Sequence, residues 1–560
     1  MHSLASENLV RGINDRLAPL PISKIPMISV ACLLALGVAN AAEDYKYVVA
    51  PGDTLAGIAQ ALLKDPNNWS KVQRLNQIED PRRLRTGASL RIPLALMRLE
   101  ATPGKISSVK GEVSIGGKPA EIGASVPKGA QVVTGNQSFV TVDLVDGSRL
   151  VLQPSSRMKV EEMSRYQNTS LPDTKLRLDS GRVESVVTKM NAPRPQYTII
   201  TPTATIGVRG TQFRVGAIDA NEASKPLSQT EVTNGLVTVQ SAKGKATPVP
   251  AGFGVIADPS GKVSAPVELL NAPDTNGIAK VQEKPVLRLS VPPIAGASGY
   301  RFQIATDPEM RNVVTESSPK SPEAKFAELA DGDYTLRVRG VDAKGLEGRD
   351  ADVTFKLKAR PEAPFAVAPS ANSKVRGDTV ELNWSANADA ARYRIQLADN
   401  KQFANPIVDL DGVDGTVVTP AQKMVPGEYF WRTRSIRSDG DLGPWSDPLH
   451  FTLKPPPAEP EPAQLDDKTV SFSWSSEPDQ TFLFQFAKDD KFSNMMVEQK
   501  LDKPTISFNR PEDGGTFYMR VQATDPDGFV GPFTKAQKID LPPPSKPWWL
   551  ALVLLGPALL

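Results

Sequence analysis

The chain has 560 residues, 65 Lys+Arg against 63 Asp+Glu for a formal net charge of +2, and 40% apolar and 23% charged residues. Its length sets a prior of roughly four domains, and the balanced charge leaves no electrostatic footprint for nucleic acid. One cysteine and two histidines exclude a disulfide framework, thiolate zinc sites and histidine-built zinc peptidase or amidase centres. Fifty prolines and forty glycines against nineteen phenylalanines predict short strands, turns and linkers rather than long helices.

Residues 1–24 are polar and carry Arg11, Arg16 and Lys24; Ile25–Val38 is an apolar run, and Ala39-Asn40-Ala41 is a small-x-small site. Residues 1–41 therefore read as a secretory signal cleaved near Ala41–Ala42, with an uncleaved inner-membrane anchor as the alternative. Cys32 lies inside the run without a lipobox before it, so processing would leave a chain with neither disulfide nor thiol nucleophile. His450, in SDPLHFTL, would be the one histidine left, on a strand-like alternation that suits a solvent-facing position better than a Ser-His-Asp triad.

Residues 43–95 form the first predicted domain. Gly52 permits a sharp turn. Asp53 or Thr54 can cap a helix whose Leu55, Ile58, Ala59 and Leu62 share one face. Asn67 or Asn68 can cap a second helix bearing Trp69, Val72 and Leu75. A strand with Tyr45, Tyr47 and Val49 precedes the pair, and another with Leu90 and Ile92 follows a Thr86-Gly87 turn. The expectation is a βααβ unit. Its PGDTL turn, Ile58-Ala59, Trp69, Leu75-Asn76, Thr86-Gly87 and Leu90–Pro93 resemble a LysM domain. That resemblance implies binding of peptidoglycan or another N-acetylglucosamine polymer in a shallow groove. Gly52, Asp53, Thr54 and Leu55 would line one wall; Asn76, Gln77 and Ile78 would line the other. Members of that family often have glycine where this chain has Gln77, and the loop Ile78–Arg85 is slightly long.

Residues 101–266 read as an all-β domain. Short alternating runs (Ser138–Leu144, Ser148–Leu152, Tyr197–Thr201, Gln212–Val215) are joined by turns that include Asp146-Gly147 and Asn234-Gly235, of the kind that takes two positive φ angles. Thr201–Val215 (TPTATIGVRGTQFRV), with LDSGRV at Leu178–Val183 and VPAGFGVIA at Val249–Ala257, resembles the FecR domain of iron-uptake signalling. In its motif residues Gly207, Arg209, Gly210, Thr211 and Phe213, the glycines allow close backbone approach or a bulge. Arg209 can fork onto carbonyls or a carboxylate, as a staple or a docking contact. The polar stretch before the apolar run is too short for the cytoplasmic anti-sigma segment of iron-uptake sensors.

From residue 280 the chain repeats. Tyr300–Ala305 (YRFQIA) returns as Tyr393–Ala398 and Phe482–Ala487, so Gln303, Gln396 and Gln485 recur at spacings of 93 and 89. Asp331–Gly348, Pro426–Ser446 and Gly514–Phe533 match in the same way, and Trp384 and Trp474 precede the later copies where Val291 stands in the first. Repeats of this length with alternating strands predict β-sandwiches. The Trp position, the Tyr-x-x-Arg-x-Arg strand and the DG…GPWS turn resemble fibronectin type III domains, over 280–359, 362–454 and 460–541. Proline-rich joints at Arg360–Pro364, Lys454–Pro462 and Leu541–Pro547 read as stiff spacers. Residues 542–560 end in WWLALVLLGPALL, which as a helix reaches about 20 Å, short of a ~30 Å membrane core; it reads as a shallow membrane contact through Trp548–Leu560, or as a segment buried against a partner.

The sequence thus predicts a multidomain, mainly β chain: a small βααβ LysM, an all-β FecR domain and three Ig/fibronectin III-like β-sandwiches in tandem. The expected function is that of an exported, periplasmic, non-catalytic protein tethered to the cell wall as scaffold or sensor. No cofactor, metal or nucleic acid is expected, and besides the glycan an unknown envelope protein is the expected partner. Two alternatives remain: a signalling component acting through the FecR region with a separate inner-membrane partner, and a cell-wall hydrolase targeted by LysM.

Overall fold

A computed structural model describes residues 44–189, 196–218, 227–241, 244–466 and 468–543. The segment read above as a signal, with its cysteine, and the apolar tail lie outside the described residues. The described residues form two compact units: 44–102 with 164–173 and 196, and 103–163, 174–189 and those described from 197 to 543.

In the first unit, β1 (Asp44–Val48) pairs antiparallel with β2 (Ser89–Pro93), Tyr45 opposite Ile92 and Tyr47 opposite Leu90. Between them run α1 (Leu55–Leu62) and α2 (Trp69–Leu75). Thr54 is the N-cap of α1, its hydroxyl accepting from the Gly57 amide at 3.1 Å. Leu55, Ile58, Ala59 and Leu62 are buried, as i, i+3, i+4 spacing requires. The second cap departs from expectation. Asn68 holds the N-cap position of α2 but makes no side-chain cap hydrogen bond; Asp65 accepts from the Asn67 amide at 3.0 Å and caps a 3₁₀ turn over Pro66–Asn68 that leads into α2. Tyr166 and Leu171, from the 164–173 excursion, join the same core, and the Tyr166–Leu99 register adds a further strand contact.

The all-β region is built on two sheets that share one long strand, Pro172–Val186. Thr174–Arg177 pairs parallel with Tyr197–Ile200 in one sheet. Gly181–Val186 pairs antiparallel with Gln212–Ala217 in the other, where Arg149–Leu152 flanks its opposite edge. At the crossover Gly181 has φ 86°, and a Cβ there would stand 2.1 Å from Ser156 Oγ, so only glycine fits. Inward-facing Val140, Val142, Leu150, Leu152, Leu176, Ile199, Ile206 and Val215 fill the core between the sheets. Both dipeptide turns differ from the two-positive-φ form: Gly147 and Gly235 are left-handed, whereas Asp146 and Asn234 are not.

Each repeat is a two-sheet sandwich with its own core. In the first, strands Val281–Gln282, Ala351–Leu357, Gly332–Asp342, Ala297–Ala305 and Val313–Ser317 form the larger sheet, and Leu287–Ser290 with Glu323–Phe326 the smaller. The second and third repeats have a larger sheet of five strands and a smaller one of three. Trp384 and Trp474 are buried, packing edge-on against Tyr393 and Phe482, and Val291 is buried in the first repeat.

Candidate functional site

The two loops expected to form a glycan groove are adjacent. The Leu55 amide donates to the Pro81 carbonyl at 3.0 Å, pinning the loop after α2 against the start of α1. Asp53 holds the first turn: one carboxylate oxygen accepts from the Tyr47 hydroxyl at 2.8 Å and from the Ala50 amide at 2.6 Å. That hydrogen bond is the main reason the Tyr47 phenol titrates above its ordinary value. The Thr54 hydroxyl is engaged as a cap, and the Leu55 side chain is in the core. On the second wall, Asn76 zips α2 to β2. Its amide donates to the Val72 carbonyl at 2.8 Å and the Arg91 carbonyl at 2.7 Å, and its oxygen accepts from the Arg91 amide at 2.7 Å. Gln77 is exposed at φ 54°, the left-handed position that ends a helix. Ile78 is half-buried, its carbonyl accepting from Gln73 Nε2 at 2.9 Å. Of the seven residues, Gly52, Thr54 and Gln77 are exposed; Asp53, Leu55 and Asn76 build the walls. Tyr47, Pro81 and Arg91 bond Asp53, Leu55 and Asn76 and so hold the two loops in place, and nothing local in sequence marks them.

The FecR-like motif makes a locked turn. Gly207 sits mid-strand opposite Thr198 and Thr238. Arg209 is exposed at the strand end. Gly210 has φ 74°, and a Cβ would lie 2.3 Å from the Lys189 Cα, a backbone clash that no rotamer relieves. The Thr211 hydroxyl donates to the Leu236 carbonyl at 3.1 Å, and its carbonyl accepts from the Val187 amide at 2.9 Å. A register shift follows between Gln212 and Phe213, and Phe213 is buried edge-on to Tyr197.

The largest polar assembly was not legible locally. Strands Gln212–Ile218 and Leu227–Asn234 each carry an unbroken run of five buried residues, although Arg214 in the first and Gln229 and Glu231 in the second are polar. One face packs in the barrel core; the other is covered by the first sandwich. Arg214 donates to Asp350 at 2.9 Å and to the carbonyls of Glu347 and Gly348 at 2.8 and 2.7 Å. Glu347, 3% exposed, is reached by Arg301 at 2.6 Å, Arg182 at 3.0 Å and Arg339 at 3.1 Å. Gln153 accepts from Arg301 at 2.6 Å and from Gln303 at 2.9 Å. Glu184 meets Arg337 at 2.7 Å. Beside this lattice, Phe139 packs with Ala305, Met310 and Val313.

The two buried glutamates differ. Burial pushes the Glu347 carboxyl upward, but Arg182, Arg301, Arg339 and Arg214 hold it well below the usual range. Glu231 is fully buried, with Arg182 and Arg214 no closer than 3.7 and 3.8 Å and one carboxylate oxygen without a hydrogen bond. Its burial outweighs those cations, and its pKa is raised.

The joints between sandwiches are crossed by ion pairs, with Lys284 and Lys358 at the first and Lys374, Arg376 and Lys454 at the second. Lys358 bridges Asp331 of the first to Asp441 of the second at 3.2 and 2.9 Å. Arg376 of the second reaches Asp525 of the third at 2.8 Å, and a cleft of about 230 Å³ opens beside it, lined by Pro455, Pro456, Pro457 and Trp474. His450 is half-buried between Asn372 and Glu428, both ring nitrogens occupied. Among the described residues no cluster of three or more His, Cys, Asp or Glu is placed to hold a metal, and no helix is long and apolar enough to cross a membrane.

These features define a modular β protein with a small α/β glycan-binding-type unit at one end of its described sequence. The family comparison agrees: the LysM domain model matches residues 47–93, and the FecR protein model matches residues 130–238. The chain therefore carries a LysM domain and a FecR region, which are non-catalytic binding and signalling modules typical of envelope proteins. No curated protein matches the sequence. Similar solved structures include a protein assigned as an anti-sigma factor from Parabacteroides distasonis, at 18% identity and TM-score 0.20 over 25% of this chain; this chain spans 59% of its length. The chicken CNTN1 FN1–FN3 domains (15% identity, TM-score 0.19, 46% of this chain and 95% of that one) and the fibronectin(III)-like modules of Clostridium thermocellum CbhA (12%, TM-score 0.18, 32% and 93%) are also similar.

Proposed function

We propose that this chain is an exported, non-enzymatic peptidoglycan-binding protein of the periplasm, in which the LysM unit tethers the FecR region and the sandwiches to the cell wall as scaffold or sensor. The observation that carries this reading is the pair of loops, 50–55 and 76–82, joined by the Leu55–Pro81 hydrogen bond inside a βααβ unit that the LysM model covers from β1 to β2. Gly52, Thr54 and Gln77 present exposed groups to an acetamido sugar, and Asp53, Leu55, Asn76 and Ile78 shape the walls.

A pull-down of the chain from Ala42 onwards on purified sacculi tests it, beside Thr54→Ala/Gln77→Ala and a chain lacking 42–93, with soluble fragments assayed in the same tubes. Binding that falls in the double variant and disappears in the deletion, without fragment release, supports the tether. Undiminished binding by the deletion sinks it, and muropeptide release would make the protein a hydrolase. A second reading rests on the FecR match: the FecR region, locked to the first sandwich, relays wall occupancy to a separate inner-membrane protein. A contact of Arg209 with that protein would be lost in Arg209→Ala while sacculus binding persists.

A further inference from the structure

Seven arginines belong to the first unit as described. Arg74, Arg91, Arg98 and Arg165 are tied down, to the Ser70 carbonyl, Asp44, the Leu63 carbonyl and Glu100. Arg82, Arg83 and Arg85 have guanidinium groups with no hydrogen bond or ion pair among the described residues, and all three are exposed. They fall in one seven-residue stretch, 79–85, the slightly long loop of the second groove wall. Its backbone is fixed. Asp80 accepts from the Arg82 amide at 2.9 Å, the Arg83 amide donates to the Asp80 carbonyl at 3.2 Å, and the adjoining Pro81 carbonyl receives the Leu55 amide from the first wall. Asp80 is thus engaged in the turn, and Glu79 is the loop's other acid. An unpaired arginine set on solvent is ordinarily just a hydrated face; this one is concentrated beside the groove, on a loop hydrogen-bonded to the opposite wall.

We propose that this loop reads carboxylates on the glycan, so that the groove takes an anionic, carboxylate-bearing N-acetylglucosamine polymer in preference to a neutral one. The proposal rests on the glycan-binding reading above and adds the ligand's charge to it. A planar guanidinium matches a carboxylate in two parallel hydrogen bonds. Exposed pairs of this kind are individually weak, and three together give roughly a tenfold preference at low salt. Screening over a Debye length of about 10 Å at 0.1 M erodes it as salt rises. A wall polymer offers such carboxylates on its stem peptides and, where these are removed, on the lactyl groups of its muramic acid.

Titration calorimetry of the chain from Ala42 onwards tests this with three ligands of equal sugar count: chitooligosaccharide, peptidoglycan fragments bearing stem peptides, and the same fragments stripped by an amidase. The expected result is roughly tenfold tighter binding of stem-bearing fragments than of chitooligosaccharide, shrinking with salt. Arg82→Gln/Arg83→Gln/Arg85→Gln should abolish that preference and leave chitooligosaccharide affinity unchanged. A preference retained by stripped fragments assigns the contact to lactyl carboxylates; one lost on stripping assigns it to the stems. Equal affinity for charged and neutral ligands, or a preference that survives the triple substitution, overturns the proposal while leaving the glycan reading in place. Binding to none of the three overturns both.

Discussion

The first and second sandwiches place the same strand framework in different surroundings. In both, a glutamine on one strand faces an arginine on its neighbour and an acid on the strand beyond: Gln303 opposite Arg337 and Glu316, Gln396 opposite Arg432 and Asp409. In the first, that face is pressed on the FecR region, and Arg301, Gln303 and Arg339 are nine-tenths buried or more. In the second, Gln396 is buried, but Arg394, Arg432 and Arg434 are only half-buried, and Gly427–Ile436 alternates with its core positions up to Arg434. There Arg394 keeps a carboxylate, Asp409 at 2.8 Å, whereas Arg432 and Arg434 lie on aromatic rings. Arg432 sits 4.1 Å from the Phe403 ring centre and 4.5 Å from Trp445, and Arg434 lies 4.4 Å from Trp445. One strand pattern supports two solutions: where a partner sheet excludes water, arginine needs full carboxylate compensation; where water remains, an aromatic platform suffices.

Substitutions break this comparison in a graded way. Glu347→Ala would leave Arg301, Arg339 and Arg182 around a vacated buried anion site, so a loss of about 3–5 kcal/mol is expected in urea unfolding of the FecR region and first sandwich. A change under 1 kcal/mol would show that water already reaches the cluster. Trp445→Ala removes the platform shared by Arg432 and Arg434, for which about 1–2 kcal/mol is expected, confined to the second sandwich's transition.

Glu231→Gln should instead stabilise, by about 1 kcal/mol at neutral pH. The folded pKa of Glu231 is raised, so ionising it penalises the folded state as pH rises from the ordinary glutamate value of about 4.3 through that raised value. The gain from the amide should therefore fade on acidification. Glu347 has the opposite sign: its folded pKa is depressed, so its contribution is present above the ordinary value and lost as pH falls below it toward the folded one. Unfolding midpoints of Glu231→Gln and Glu347→Gln against wild type, at neutral and mildly acidic pH, separate the two; parallel pH trends would refute the assignment. Asp409→Ala, at the register position of Glu316 but partly solvated and paired with Arg394 at 2.8 Å, should cost only roughly 0.5 kcal/mol.

Much of this protein was determined by its sequence alone. Periodicity placed α1 and the core residues Leu55, Ile58, Ala59 and Leu62, because an isolated amphipathic helix has one face to bury. Internal repetition marked three sandwiches with Trp384 and Trp474 in their cores, since a repeated strand pattern needs a repeated interior. The LysM and FecR motifs identified the modules. The groove was legible only in part. Asn76 and Gln77 follow α2 as its helix-end signals required, but that Asn76 spends its amide on Arg91 and that Pro81 meets Leu55 are contacts between segments far apart in sequence. The buried lattice of Arg182, Arg214, Glu231, Arg301, Arg339 and Glu347 was decided by tertiary structure alone. In DYTLRVRGVD the charged residues alternate with apolar ones, and in SQTEVTN Glu231 stands on the face opposite Val232; a strand buried on one face reads the same whether its other face meets water or a second sheet. Only docking of the FecR region on the first sandwich removes that water, and with it the freedom of those charges to stand unpaired.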